Sequence, residues 1–206
     1  MEKLDLKKTW KDLYNPSAKE VSVVEVPPFH FLMIDGTGDP NISADYQAAI
    51  EALYAPSYTL KFAVKKAGTL DYTVMPLEGL WWVEGETPFT LEDKSAWKWR
   101  AMILQPEVIN AGLVDEALRQ VRKKSPSPAL EKVRFEVYAE GLAAQVMHIG
   151  PYAAEGPTIE ALHRFIAEQG YVPNGKHHEI YLNDPRRTAP EKNRTIIRQP
   201  IRKAPR

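Results

Sequence analysis

The sequence predicts an α+β domain in which two strand–helix–strand–strand modules form antiparallel sheets around a central ligand pocket. Three observations carry this reading. Apolar residues alternate over 59–65, 133–138 and 177–182, the period of half-buried strands. Helical spacing is confined to a few segments between such runs. The order of elements also repeats: Phe31-Leu-Met-Ile-Asp-Gly36 and Gln145-Val-Met-His-Ile-Gly150 each read as a strand closed by glycine, then a loop, a helix and two strands. Antiparallel strands with helices on one face make an α+β domain, and the junction of two such units leaves a cleft suited to a ligand.

Taken in order, residues 3–14 place Leu6, Trp10, Leu13 and Tyr14 at helical spacing, and Asn15-Pro16-Ser17 stops that helix. Strands follow at 21–26 and 29–34, closed by the turn Asp35-Gly-Thr-Gly-Asp-Pro40. A helix at 43–54 turns Tyr46, Ala49, Ile50 and Leu53 inward. Thr59–Lys65 reads as a strand with Leu60, Phe62 and Val64 inward. Strands are expected at 70–84 and 97–104. Pro106 suits the first turn of a helix whose end, Arg122-Lys123-Lys124, complements its dipole. Ser125-Pro-Ser-Pro128 is a linker. Strands at 133–138 and 142–149 come next, then a helix at 157–169 with Ile159, Leu162 and Ile166 on one face and Gly170 as its stop. Strands at 177–182 and 193–199 complete the chain. The organisation is one domain over 1–206: a leader (1–20), a first module (21–124) and a second module (129–206).

The chain is 44% hydrophobic and 26% charged, enough for a core and a solvated surface. No apolar run is long enough for a membrane-spanning helix, and the opening residues lack the apolar stretch of a secretory signal, so a cytoplasmic protein is expected. There is no cysteine, which excludes disulfides, thiolate metal sites and cysteine nucleophiles. The net charge is zero, but residues 186–206 carry eight Lys/Arg against Glu191 alone. Without interleaved stacking aromatics this basic tail reads as solvated rather than as a nucleic-acid site, with Arg194-Thr-Ile-Ile-Arg198 an edge strand guarded by charge.

On a strand at 177–182, His177, Glu179 and Tyr181 share one face, and His178, Ile180 and Leu182 the other. A carboxylate and a tyrosine two residues on are presented together on the first face, as a functional pair or as a solvent-facing polar row. His177 and His178 point to opposite faces and cannot share a metal; no metal and no cofactor is expected. Trp81, Trp82, Trp97 and Trp99 lie within 20 residues, with Trp81 and Trp82 on opposite faces and Trp97 and Trp99 on the same one. Such rings pack a core or stack on a flat ligand. Gly36-Thr-Gly38 lacks the third glycine of a dinucleotide fingerprint, and the G-x-S-x-G elbow of a serine hydrolase is absent.

Met33-Ile-Asp-Gly-Thr-Gly-Asp-Pro40, Leu77-Glu-Gly-Leu-Trp-Trp82, Val146-Met-His-Ile-Gly-Pro-Tyr152 and His177-His-Glu-Ile-Tyr-Leu-Asn-Asp-Pro185 resemble the stand-alone branch of the GyrI-like small-molecule-binding proteins. The resemblance implies two modules with pseudo-two-fold symmetry around a pocket. It also implies that Glu179 is the pocket glutamate that meets cationic, aromatic drugs in multidrug regulators. The double tryptophan and the His-His-Glu-Ile-Tyr run are similar to a branch that hydrolyses the cyclopropane ring of DNA-alkylating natural products. The expected site is Glu179 and Tyr181 as catalytic groups, with Trp81, Trp82, Trp99, Tyr152 and His148 around the ligand. The functions left open are sequestration of an aromatic or cationic small molecule, hydrolysis of a strained ring, and modulation of gyrase or another protein partner.

Overall fold

A computed structural model describes residues 3–85 and 94–205. The elements are β1 (Lys3–Leu4), α1 (Leu6–Thr9), α2 (Lys11–Tyr14), β2 (Ser22–Val26), β3 (Phe29–Thr37), α3 (Ala44–Lys66), β4 (Asp71–Tyr72), β5 (Leu77–Trp82), β6 (Lys98–Gln105), α4 (Ala111–Lys124), β7 (Arg134–Tyr138), β8 (Gly141–Ile149), α5 (Gly156–Glu168), β9 (Tyr171–Pro173), β10 (His177–Tyr181) and β11 (Arg194–Lys203). One large antiparallel sheet runs β2–β8–β11–β10–β5–β6–β3–β7, with β9 pairing the end of β11. The α+β class predicted from the sequence is the class observed.

The strand order reads the same outward from the central β10–β5 pair. On each side come the second, third and first strands of one half, then a flanking strand. The flanking strands are exchanged: β2 precedes β3 in the chain but pairs with β8, and β7 precedes β8 but pairs with β3. α3 lies over β3 and β6, and α5 over β8, β9 and β11. The two helices cover the same sheet face. Ser57 of α3 meets Gln105 there, and Leu162 and Ile166 of α5 cluster with Val146 and Ile197. The β5–β10 seam lies in the trough between them.

Five expectations need correction. The strand expected at 70–84 is two, β4, which pairs with β1, and β5 in the large sheet. Residues 59–65 are not a strand; they continue α3, which runs from an Ser43 cap, whose Oγ accepts from Tyr46 N at 3.2 Å, to Lys66. Only Leu60 and Val64 turn inward, four residues apart, while Phe62 is 59% exposed. Pro56 suggests a break, because it lacks an N–H and crowds the preceding turn. Here it sits inside the helix, and burial of Ala49, Leu53, Leu60 and Val64 on one side outweighs that cost. The leader is two short helices rather than one, joined at Trp10. Pro106 precedes its helix; α4 starts from Asn110, whose side chain accepts from Leu113 N at 3.1 Å.

The last correction concerns 194–198. This segment is no edge strand: β11 lies inside the sheet, between β8 and β10. Arg198 is buried because it is fully partnered. Its guanidinium donates to Gln145 Oε1 at 2.9 Å, Glu140 Oε2 at 3.0 Å and the Leu13 carbonyl at 2.7 Å. His178 beside it meets Glu140 Oε1 at 2.8 Å through Nδ1 and Glu78 Oε2 at 3.0 Å through Nε2, and Tyr14 donates to Glu78 at 2.8 Å. This network occupies the sheet face opposite the helices and ties the leader to it. Two carboxylates there balance two cations, which is what makes such burial tolerable.

Candidate functional site

β10 alternates as its sequence requires, but both faces are covered, so in the row His177–Glu179–Tyr181 the first two are buried and Tyr181 is half-buried. Glu179 is held at both oxygens. His177 Nε2 lies 3.1 Å from Oε1, and the Tyr181 hydroxyl donates to Oε2 at 2.8 Å. Across the seam, Glu179 stands opposite Gly79 and His177 opposite Trp81. A Cβ on Gly79 would lie 2.8 Å from Trp81 Nε1, so only glycine leaves room for the indole to lean over it. From there the Trp81 N–H reaches the Tyr181 hydroxyl at 3.1 Å. The chain Trp81–Tyr181–Glu179 therefore spans the two halves of the molecule.

The rings continue outward from this chain. Trp81 pairs with Trp99 across β5 and β6, and Trp97 packs on Trp81 at 5.4 Å between centroids. Tyr46, from the first turn of α3, meets Trp99 edge-on at 5.0 Å and Trp81 at 5.6 Å. Tyr152 meets Tyr181 edge-on at 5.6 Å and is 39% exposed. A hollow of about 140 Å³ opens beside Trp99, lined also by Gly36, Asp45 and Ala49. A larger one, about 390 Å³, lies between the leader and residues 182–194 and touches none of the predicted site residues.

Burial, and then the Glu179 charge, push the Tyr181 hydroxyl well above its ordinary pKa, so it stays a donor. Burial and the neighbouring Glu155 push Tyr152 up to about 12. Glu155 itself is 3% exposed at the start of α5, and burial together with the Glu179 charge raises it to about 9. One carboxyl of this pair is thus a neutral acid at neutral pH.

Of the expected residues, Glu179, Tyr181, Trp81, Trp99 and Tyr152 come together. His148 lies on the same face, opposite Thr195 on β11, with Nδ1 2.9 Å from Thr158 Oγ1 and Nε2 3.3 Å from the Pro151 carbonyl. Trp82 is not brought to them: it alternates to the other face, with Lys176 Nζ 3.5 Å from its ring centroid. Glu155 and Tyr46 were not expected. Glu155 looks like an ordinary loop acid before a helix, and Tyr46 like one more apolar residue on an amphipathic face. Neither carries a local signal, because the fold alone brings them to Glu179. Among the described residues no group of three His, Asp or Glu is arranged to hold a metal.

The model of the GyrI-like small molecule binding domain matches residues 19–202. The chain belongs to the GyrI-like family. No curated protein sequence matches it. Among solved structures, this GyrI-like chain is similar to an uncharacterized conserved protein from Listeria innocua, at 39% identity and a TM-score of 0.89, covering 97% of this chain and 100% of that one. It is similar also to a hydrolase encoded by lin2189 from Listeria innocua, at 38% identity and a TM-score of 0.87, covering 98% and 100%. A second hydrolase from Listeria innocua matches at 35% identity and a TM-score of 0.84, covering 97% and 100%. No described helix of this GyrI-like chain is long and apolar enough to cross a membrane.

Proposed function

We propose that the protein is a cytoplasmic small-molecule hydrolase that detoxifies flat, largely apolar molecules carrying a strained, electrophilic ring. The observation that carries this reading is the buried Glu179 carboxylate, oriented by Tyr181 and His177 in a trough of indole and phenol rings. A carboxylate fixed in this way is placed to take a proton from water while the rings hold a planar substrate. The 38% and 35% identity to two hydrolases over their full lengths supports the same reading. The Tyr181 hydrogen is committed to Glu179, so Tyr181 acts as a positioning residue. Tyr152, partly exposed, is the phenol left to meet a ligand carbonyl. We read the halves 21–124 and 129–206 as duplicated modules with the site at their junction.

The aromatic setting of Glu179 also supports a second reading, a binder that sequesters an aromatic cation. The two separate on turnover. Purified protein is incubated with a DNA-alkylating natural product whose cyclopropane is conjugated to a carbonyl, and the ring-opened hydrate is sought by mass. The hydrolase reading expects catalytic conversion by wild type and a loss of about 10²-fold or more in Glu179→Gln. Tight binding with the probe recovered intact supports sequestration instead. A folded Glu179→Gln variant equal to wild type in binding and turnover removes Glu179 from the site.

A further inference from the structure

Glu155 takes no part in the reading above, yet its surroundings are those of a working group. It stands between the turn at 152–154 and the first residue of α5, where a surface acid would be ordinary, but it is 3% exposed. Its side chain does not cap the helix. Thr195 on β11, whose hydroxyl interacts with Glu155, lies directly opposite Tyr181 and so on the Glu179 face. Neither Thr195 Oγ1 nor Glu155 Oε1 completes a hydrogen bond of ordinary geometry. Thr195 is thus a weak partner for so deeply buried a carboxyl, and burying a poorly partnered carboxyl costs free energy. The charged and titratable groups that face it are Glu179 and Tyr181 from β10, Tyr152 from its own segment and Lys94 from the turn before β6. The Lys94 charge and the positive end of α5 favour an ionised Glu155, whereas burial and Glu179 oppose it. Burial is the largest of these influences.

We propose that Glu155 is the proton donor of the site, working against Glu179 as the acceptor. The assignment rests on the hydrolase reading, whose substrate, a strained ring conjugated to a carbonyl, needs an acid on one side and a base on the other. Water attacks the ring carbon, an O–C bond forms, and the ring C–C bond breaks with its electron pair passing to the carbonyl oxygen. Glu179 takes the proton lost by water, and Glu155 gives its proton to that oxygen. The net change is addition of one water, and the proton passes back from Glu179 to Glu155 through solvent before the next turnover. A carboxyl held protonated on one side of a substrate and a second carboxyl that accepts a proton on the other let one site run acid and base chemistry at the same pH.

Infrared spectroscopy tests the protonation and kinetics test the role. At pH 7 wild type should show the carbonyl stretch of a buried neutral carboxyl that is missing in Glu155→Gln. In Glu179→Gln, where the neighbouring charge is gone, the same band should disappear at a lower pH than in wild type. Glu155→Gln should bind the cyclopropane probe within a few fold of wild type, by tryptophan fluorescence, while ring opening falls by about 10²-fold or more. Absence of the band in wild type at pH 7 overturns the proposal, as does wild-type turnover by a folded Glu155→Gln. If that variant does not fold, the shift of the band in Glu179→Gln decides, and an unmoved band overturns it. Wild type that leaves the probe intact sinks the hydrolase reading and the donor role with it. The Glu179-dependent shift then still decides whether the two carboxyls share one site.

Discussion

Gly36 faces Trp99 across β3 and β6, and a Cβ built on Gly36 would lie 2.1 Å from Trp99 Cζ2. The indole therefore lies flat over the glycine, as Trp81 does over Gly79, and both tryptophans are fixed by an absent side chain. Gly36→Ala should push the Trp99 ring out of place and cost about 1–3 kcal/mol, the usual penalty of an overpacked core. Denaturant melts measure the loss, and a changed tryptophan emission spectrum reports the moved ring; an unchanged melt and spectrum would refute the packing account. At this scale Glu179 and Tyr181 were legible because strand alternation alone puts them on one face. Their burial was not, since it depends on α5, β5 and Trp81, which lie far away in sequence. Glu155 was illegible for the same reason.

α3 shows how an element can contradict its own local pattern. Leu60, Phe62 and Val64 alternate as a strand would, and Pro56 stands where a helix would end. Position 60 nonetheless continues the inward row of Ala49, Leu53 and Ser57, while Phe62 lies outside, its ring stacked at 6.5 Å on Tyr58. The two substitutions that discriminate are Leu60→Ala and Phe62→Ser. Leu60→Ala should cost about 2–5 kcal/mol, as for other fully buried leucines. Phe62→Ser should stay within about 1 kcal/mol, as surface changes do. Similar losses from both, in urea melts, would restore the strand. Most other strands were recoverable because their local pattern agrees with their tertiary setting, whereas the two- and three-residue strands β1, β4 and β9 are too short to show a period; here a short alternating run coincides with a helix whose partner row is set by β3 and β6.

Across the whole molecule, the network of Glu78, His178, Glu140 and Arg198 ties the leader to the sheet and makes stability depend on pH. Both ring nitrogens of His178 meet carboxylates, so both carry hydrogen and the ring is a cation. Burial lowers its pKa, but Glu140 and Glu78 outweigh that and raise it from 6.5 to about 9. For Glu140, burial pushes up, and the His178 and Arg198 charges pull it from 4.5 down to about 2. The His178 contribution is complete below pH 6.5 and is lost as pH rises through about 9. The Glu140 contribution is present above pH 4.5 and is lost as pH falls through about 2. The melting temperature should therefore fall between pH 6.5 and 9. His178→Gln should cost about 3–5 kcal/mol near pH 6, because it strands buried charges, and should flatten that slope. The slope it retains belongs to Glu155, which is raised in the fold and titrates in the same sense. A wild-type melting temperature that does not change over this range would show that His178 is not held as a cation.

The sequence by itself determined the class, the order of most elements, the repeated strand–helix–strand–strand pattern and the facing of Glu179 with Tyr181. Each of these follows from local periodicity or from turn residues, which act over a few positions. Only the tertiary structure decided that β11 is interior and Arg198 buried, that β2 and β7 exchange halves, that Trp81 rather than Trp82 meets Tyr181, and that Glu155 is buried near Glu179. Those outcomes depend on which strand pairs with which and on what covers each face. Local spacing cannot encode contacts between residues such as Trp81 and Tyr181, 100 positions apart in the chain and 3.1 Å apart in the fold.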